Sequence, residues 1–253
     1  MDEIQQVVTK NLLVSLDKYL EAGVHIGSKF RSGDMNKFIY KIRDDGLCVL
    51  DIEMLNNRVL TAAKFLAQYD PKDILIVAGR TYAQRPAKTL AEIIGAKVNI
   101  GRFIPGTLTN PRKANFQEPR IIFAADPPVD RQAIKEAVKA KVPVISLCDT
   151  SNLTKNIDLI IPGNNKGKKS LALVYWIIAR EVLKARGDIK SDSEFTKTVN
   201  DFEARVERER REDIEIVEEK VLGIRGKRKQ KKVKTQEKEI KERDKQDKPK
   251  GRF

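Results

Sequence analysis

The sequence is poor in the residues that build metal centres and disulfide scaffolds, with two cysteines and one histidine among 253 residues. Because there is no Cys-x-x-Cys pair, the usual zinc ligand set cannot be assembled, and we predict no metal. No Gly-x-Gly-x-x-Gly follows a predicted strand, so we also predict no dinucleotide cofactor. Cys48 and Cys148 lie in apolar runs, which indicates buried free thiols in a reducing compartment.

Long hydrophobic stretches are also missing. The longest uninterrupted apolar run is nine residues, Leu171–Ala179, far short of the ~20 residues that span a bilayer. The first three residues, Met1-Asp2-Glu3, are acidic where a secretory signal is basic. We therefore expect a cytoplasmic protein that has no membrane partner.

Positive charge is in excess and is distributed unevenly. Fifty Lys and Arg residues against 36 Asp and Glu residues give a net charge of +14. About two thirds of this charge lies in residues 223–253, which contain almost no apolar side chains. Such a segment cannot bury enough surface to offset its ordering entropy, so we predict an intrinsically flexible basic tail.

Predicted strands and helices alternate through most of the chain. A short helix at 15–22 precedes a hairpin at 38–52, with Asp44-Asp45-Gly46 as its turn. The further strands are predicted at 74–78, 97–100, 121–125, 142–147 and 159–161, and the helices at 53–69, 84–94, 130–140 and 168–186, with a long loop at 102–119. Strands separated by helices of this length predict βαβ units, and therefore an α/β fold with a mainly parallel sheet covered on both faces.

We divide the chain into an α/β core at 1–187, a charged helical extension at 188–222 and the basic tail at 223–253. In the extension, Phe195, Val199, Phe202 and Val206 recur at spacings of four, three and four. This pattern predicts a solvated helix that docks its narrow apolar edge on a neighbouring protein.

The segment Gly163–Ser170 follows a strand and opens a helix, as a phosphate-binding P-loop does. It has three residues between its glycines where a P-loop has four, so we do not predict nucleotide hydrolysis. Its amides and lysines can still hold a single phosphate at the helix N-terminus. This leaves open an α/β enzyme acting on a phosphorylated substrate; the other interpretation is a solvated loop.

Few residues are candidates for catalysis. Asp126 and Asp149 end buried strands, where α/β enzymes place catalytic or metal-binding groups, but we interpret both as acceptors of turn amides. His25 lies between glycines and aliphatic residues and is interpreted as packed and hydrogen-bonded, and Trp176 as a core residue. With no paired nucleophile, we predict no catalytic residues.

Basic residues in loops and in the tail give the strongest functional signal, because they are the electrostatic footprint of a nucleic-acid binder. Few aromatics lie among them, so binding to folded RNA by shape and phosphates is favoured over base stacking. The predicted RNA-binding residues are Lys29, Arg31, Lys37, Lys41, Arg43, Arg102, Arg112, Lys113, Lys166, Lys168, Lys169, Arg225, Lys227, Arg228, Lys229, Lys231, Lys232 and Lys234.

Five short segments form a specific combination. They are 19–27 (YLEAGVHIG), 101–110 (GRFIPGTLTN), 125–127 (ADP), 142–150 (VPVISLCDT) and 161–167 (IPGNNKG), which leads into Tyr175-Trp176. In these segments, over about residues 15–187, the chain resembles the universal small-subunit ribosomal protein number two family. Bacterial members insert a helical hairpin after the Leu-Thr-Asn segment, and eight residues between Asn110 and Pro119 leave no room for one. Bacterial members also have a second histidine at the position of Ser28, and eukaryotic members end in an acidic extension, so the resemblance is to the archaeal-type branch.

The resemblance implies a Rossmann-like three-layer α/β sandwich without enzymatic activity. It further implies a position on the solvent side of the small ribosomal subunit, between head and body and near the exit of messenger RNA. The implied partners are ribosomal RNA and neighbouring ribosomal proteins, with no small-molecule substrate. We therefore predict a structural constituent of the cytoplasmic small subunit that supports assembly and translation. The alternatives are the enzyme described above and a non-ribosomal nucleic-acid-binding protein.

Overall fold

The computed structural model describes residues 12–204. The strands are β1 (Ile39–Ile42), β2 (Cys48–Leu50), β3 (Ile74–Ala78), β4 (Lys97–Ile100), β5 (Ile121–Ala124), β6 (Val144–Cys148) and β7 (Leu159–Pro162). The α-helices are α1 (Leu16–Ala22), α2 (Ile52–Ala67), α3 (Thr81–Ile94), α4 (Arg131–Ala140), α5 (Lys168–Arg186) and α6 (Val199–Phe202). None of these helices combines the length and the apolar character that crossing a bilayer requires.

Five strands form a parallel sheet in the order β4-β3-β5-β6-β7. β3, β5 and β6 are buried along their whole length, as their continuous apolar sequences predict for strands covered on both faces. The strand order reverses beside β3, because the chain continues from β3 to β4 on one side and then returns to β5 on the other. The predicted α/β fold with a parallel sheet is confirmed.

Helices cover both faces of this sheet and complete three layers. α2, α3 and α5 pack on the face to which Ile76 and Phe123 contribute. α4 packs on the opposite face against Leu75 and Ile122, together with Phe103 from the loop that precedes β5. α5 ends at Gly187, which has a φ of +84°, the left-handed conformation that favours glycine as a C-cap.

β1 and β2 form the predicted antiparallel hairpin outside the parallel sheet. Phe38 and Leu50, on the hairpin and its approach, pack against Cys148 at the end of β6. Cys48 and Cys148 are both buried free thiols, as predicted, and burial raises the pKa of Cys148 to about 12.

The extension does not form the predicted continuous helix within the described residues 188–204. It contains a 3-10 turn at Asp192–Glu194 and the single helical turn α6. Phe202 is fully buried in the main core of this chain. Phe195 and Val199 pack against the same core. The apolar side chains predicted to dock on a neighbouring protein therefore pack within their own chain. Val206 and the rest of the extension lie outside the described residues, and the division at 187, 222 and 223 stays a prediction.

Trp176 is partly buried and packs against the main core, so it lies at the margin of the predicted core. Its indole N–H donates to the carbonyl oxygen of Lys197 at 2.7 Å, and its ring lies 5.8 Å from the ring of Phe195 between centroids. The guanidinium of Arg180 also lies 4.8 Å from the indole centroid. Trp176 therefore joins α5 to the beginning of the extension.

Candidate nucleic-acid interface

The carboxyl ends of β3 and β5 border the crevice in which parallel α/β folds usually bind ligands. In this protein, side chains from the loops after these strands occupy that crevice. Arg80 forms an ion pair with Asp126, with 2.8 Å between Nε and Oδ2. A Cβ atom added at Gly79 would lie 2.6 Å from a methyl carbon of Val129, so the loops after β3 and β5 are in direct contact. The Arg80–Asp126 pair and the Gly79–Val129 contact therefore occupy the carboxyl ends of β3 and β5.

Buried polar groups complete the closure of the crevice. Asp130 accepts hydrogen bonds from the backbone N–H of Gly79 at 2.8 Å and of Asp126 at 3.0 Å. The carboxylate of Asp126 accepts from the side-chain amides of Asn165 at 3.0 Å and Asn152 at 3.4 Å. Asp126 accepts turn amides through its main-chain carbonyl, from Val129 and Asp130. Its carboxylate departs from the prediction, because the loops after β6 and β7 bring side-chain donors to it.

Asp149, which follows β6, has a cationic partner of its own. It accepts from Nζ of Lys166 at 2.6 Å and from the backbone N–H of Thr150 at 2.7 Å, so the turn-amide interpretation holds for this residue. Since Asp126 and Asp149 each have a basic partner, they do not form a free carboxylate pair. Among residues 12–204, no three His, Cys, Asp or Glu side chains are grouped to hold a metal ion.

His25 is half-buried beside α1. Burial lowers the pKa of its imidazole, which favours the neutral ring. A hydrogen bond with the backbone of Tyr19 opposes this shift. The ring is therefore packed, as predicted.

The predicted phosphate seat at Gly163–Ser170 is occupied by a side chain of the same segment. The Oδ1 atom of Asn164 accepts from the backbone N–H of Lys166 at 3.0 Å and of Gly167 at 3.1 Å. Ser170 donates its hydroxyl to the carbonyl oxygen of Asn164 at 2.7 Å. These amides are therefore already bonded where α5 begins, and a phosphate could reach them only by displacing Asn164.

Residues 26–36 cross the carboxyl edge of the sheet beside β6. The backbone N–H of Ser28 donates to Oγ1 of Thr150 at 2.9 Å, and the hydroxyl of Ser32 donates to the carbonyl oxygen of Asn152 at 2.7 Å. These bonds join segments about 120 residues apart in the sequence. They hold residues 26–36 against the loop that follows β6.

Three predicted RNA-binding residues come together at this edge. Lys29 and Arg31 are exposed on the crossing segment, and Lys166 reaches the adjoining loop, where its Nζ lies 3.4 Å from Oγ of Ser151. We call Lys29, Arg31 and Lys166 the carboxyl-edge surface. Lys29 and Arg31 project into solvent from a hydrogen-bonded backbone, and the Lys166 side chain is 46% exposed, which suits contacts with phosphates.

An exposed aromatic residue lies within this surface. Phe30 is 80% exposed, while its carbonyl oxygen accepts from the hydroxyls of Ser28 at 2.8 Å and Thr150 at 3.1 Å. An exposed aromatic ring therefore does accompany the basic residues at this position. The signal that could have revealed it is the position of Phe30 between two cations, Lys29 and Arg31, in a segment without apolar periodicity.

Three further predicted residues follow along the chain and are exposed: Lys37 in the 3-10 turn before β1, and Lys41 and Arg43 on the hairpin. Nζ of Lys37 lies 5.1 Å from the ring centroid of Phe38, and Arg43 is 3.5 Å from Asp45. A β-bridge between Ile26 and Val49 joins the hairpin to the crossing segment. The hairpin cations therefore extend the carboxyl-edge surface along a small antiparallel sheet.

The loop at 102–119 is held against α4 and belongs to a different part of the molecule. Buried Glu136 accepts from the backbone N–H of Gly106 at 2.7 Å and of Leu108 at 3.1 Å. The hairpin, in contrast, packs beside β6 and β7. The predicted residues on this loop are Arg102, Arg112 and Lys113, all exposed. The structure therefore does not gather all predicted cations into one surface.

The remaining predicted residues lie on α5 and in the tail. Lys168 forms an ion pair with Glu203 at 3.3 Å, and Lys169 is exposed. The tail residues Arg225, Lys227, Arg228, Lys229, Lys231, Lys232 and Lys234 lie outside the described residues.

Comparisons with known proteins agree with this picture. The sequence model of the family described as Ribosomal protein S2 matches residues 19–117 and 113–185. A protein of Picrophilus torridus named small ribosomal subunit protein uS2 is 51% identical over 200 residues, covering 79% of this chain and 100% of that protein. The protein of the same name from Thermoplasma acidophilum is 49% identical over 197 residues, covering 78% and 99%.

Proposed function

Because the chain belongs to the ribosomal protein S2 family, we propose that it is a structural protein of the small ribosomal subunit. In this role it binds ribosomal RNA and neighbouring ribosomal proteins, supports subunit assembly and translation, and acts in the cytoplasm without catalysing a reaction. Its similarity to relatives from archaea confirms the predicted archaeal-type branch.

The observation that carries the non-enzymatic part of this proposal is the filled crevice between β3 and β5. The Arg80–Asp126 ion pair and the hydrogen bonds of Asp130 occupy the place where a Rossmann-type enzyme would bind its cofactor. Opening the crevice would leave the carboxylate of Asp126, which is 1% exposed, without its charge partner. Breaking a buried pair in this way costs about 3 kcal/mol or more.

The carboxyl-edge surface supports the RNA-binding part. Lys29 and Arg31 project from a backbone that Thr150 holds in place, and Lys166 from one that Asn164 holds. Each phosphate that they neutralise releases condensed counterions. Lys166 is shared with Asp149, so we expect a weaker contribution from it than from Lys29 and Arg31.

The alternative of an enzyme acting on a phosphorylated substrate has less support. It required free amides at the start of α5, and Asn164 already accepts from two of them. Two of the three lysines there are also engaged, since Lys166 pairs with Asp149 and Lys168 with Glu203.

The test of the ribosomal role is sedimentation of a cell lysate through a sucrose gradient, with this chain detected in each fraction. We expect it to travel with small subunits at low salt. Its absence from that peak would contradict the proposal.

The test of the surface is binding of purified protein to small-subunit ribosomal RNA. Replacing Lys29 and Arg31 together by alanine should weaken binding about tenfold and flatten the slope of log K against log salt by roughly 2. The matched control replaces Lys64 and Lys88, which are exposed on α2 and α3. Equal loss in both variants would remove the carboxyl-edge surface from the site, and equal competition by duplex DNA would favour a non-ribosomal nucleic-acid-binding protein.

A further inference from the structure

A groove separates α4 from the loop that joins β6 to β7. Its volume is about 590 Å³, with Arg131, Ile134 and Lys135 on the α4 wall and Leu153 and Lys155 on the opposite wall. We call this the α4 groove. None of these residues is a candidate from the sequence, because the two walls are brought together only by the fold.

The α4 groove is positively charged. Three of its lining residues are basic, and none is a carboxylate. Arg131 and Lys135 are one helical turn apart and therefore share a face of α4, while Lys155 faces them from the loop. None of the three forms an ion pair with any residue of 12–204, so the groove attracts an anionic partner.

The walls of the groove are also apolar. Leu153 is 72% exposed, and Ile134 and Pro128 line the groove beside it. A phosphate backbone would satisfy the cations but would leave this leucine in water. A peptide offers carboxylates and apolar side chains together, which is the usual composition of a protein interface with basic residues around an apolar centre.

We propose that the α4 groove binds an acidic peptide segment of a neighbouring protein. Its carboxylates pair with Arg131, Lys135 and Lys155, and an apolar side chain packs on Leu153. The proposal rests on the proposed function, because the neighbour belongs to the small subunit. Phe195 and Phe202 were predicted to dock on a neighbouring protein, but they pack within their own chain. The α4 groove offers a different docking site for such a protein.

The chain is well suited to a site-directed cross-linking test. Its two cysteines, Cys48 and Cys148, are 1% and 0% exposed, so a Leu153→Cys variant can be labelled at one position with benzophenone maleimide. The labelled full-length protein is bound to small subunits that have been depleted of it by a salt wash, irradiated and analysed by mass spectrometry. We expect a cross-link to a protein segment that contains several Asp or Glu residues.

The other outcomes distinguish the inference from the proposed function. A cross-link to ribosomal RNA, to a segment without acidic residues, or to no partner in subunits that contain the labelled chain would overturn the inference alone. Failure of the unlabelled chain to sediment with subunits would instead overturn the proposed function.

A charge-reversal series tests the role of the cations. Replacing Arg131 and Lys135 by glutamate should lower the yield of the protein cross-link at least fivefold. The matched control replaces Lys64 and Lys88 by glutamate, with the same change in net charge on other helices. An equal loss of yield in the two variants would mean that general charge, and not the groove, recruits the partner, and the inference would fail.

Discussion

Asp130, at the start of α4, accepts a hydrogen bond from the backbone N–H of Gly79 at 2.8 Å, which fastens α4 to the end of β3. A second bond, from the N–H of Asp126 at 3.0 Å, fastens the same carboxylate to the end of β5. One buried side chain therefore closes the crevice at the point where the strand order reverses, and its ionisation affects the stability of the fold.

We expect stability to depend on Asp130 between about pH 4 and pH 6. Burial raises the pKa of Asp130 to about 6, more than the hydrogen bonds from Asp126 and Gly79 lower it. Between about pH 4 and pH 6, Asp130 is protonated in the folded state but ionised in the unfolded chain. The stability of the fold is therefore higher below about pH 4 and falls as the pH rises to about 6. Over this pH range the free energy of unfolding should fall by about 3 kcal/mol.

Urea unfolding of the wild type and of Asp130→Asn at pH 4, 5, 6 and 7 measures this effect. The stability of the wild type relative to the variant should fall over this range. Asp44→Asn, at the exposed hairpin tip, is the control for removal of a carboxylate. Parallel curves for the wild type and Asp130→Asn would show that Asp130 does not titrate in this window.

Arg80→Ala should destabilise the protein by about 3 kcal/mol, because it leaves a buried carboxylate without its cation. Arg80 is partly exposed, whereas Asp126 is 1% exposed, so the unpaired carboxylate cannot regain water. Adding Asp126→Asn to this variant should restore part of the loss, and chemical denaturation of Arg80→Ala, Asp126→Asn and the double variant provides the measurement. Strictly additive losses would mean that the ion pair contributes no coupling energy.

The pairing of Arg80 with Asp126 also marks a limit of sequence analysis. The run Ile74–Ala78 identifies a strand buried on both faces, because it is apolar and ends at a glycine. Its neighbours cannot be identified in the same way, since the order β4-β3-β5 depends on long-range packing. Without that order, nothing in the sequence brings Arg80 to a carboxylate 46 residues away.

Local signals were also misleading where tertiary contacts decide the structure. The predicted helix at 84–94 begins at Thr81 instead, with Pro86 inside it. Pro86 is buried within this helix, which a local reading of proline as a helix breaker does not anticipate.

In the candidate site, the exposure of Lys29 and Arg31 follows from their polar surroundings. Their position beside Lys166 depends on hydrogen bonds to Thr150 that no local pattern encodes.

Glu136→Gln should loosen the loop at 102–119. Burial alone would raise the pKa of Glu136, but hydrogen bonds from Gly106, Gln132 and Leu108 outweigh it and hold the pKa below its usual value. The amide keeps one acceptor oxygen for these donors, so we expect a loss of about 1–2 kcal/mol at pH 7. The loss should shrink as pH falls below about 4, where the wild-type carboxylate becomes protonated.

Trypsin cleavage at Arg112 and Lys113 provides a second measurement of this loop. Cleavage there should be faster in Glu136→Gln than in the wild type. Lys139→Gln, on the exposed side of α4, is the matched control and should leave the rate unchanged. The same cleavage rate in all three proteins would argue against Glu136 as the residue that holds the loop.

Removal of residues 223–253 should weaken binding to ribosomal RNA and make it less dependent on salt. Seven basic residues between 225 and 234 would contribute a slope of roughly −6 in log K against log salt if each neutralised one phosphate. A chain with a neutral tail of equal length is the control for length. A truncated protein with an unchanged slope would remove the tail from the binding site.

Phe195→Ala should change the fluorescence of Trp176, the single tryptophan of the chain. Phe195 covers one edge of the indole at 5.8 Å, and its removal admits water, so we expect a red-shifted emission maximum. The lost contact should cost about 1 kcal/mol, measured by urea unfolding. Thr196→Ala, at an exposed neighbouring position, should have neither effect. An unchanged emission maximum in Phe195→Ala would show that the start of the extension does not rest on α5 in solution.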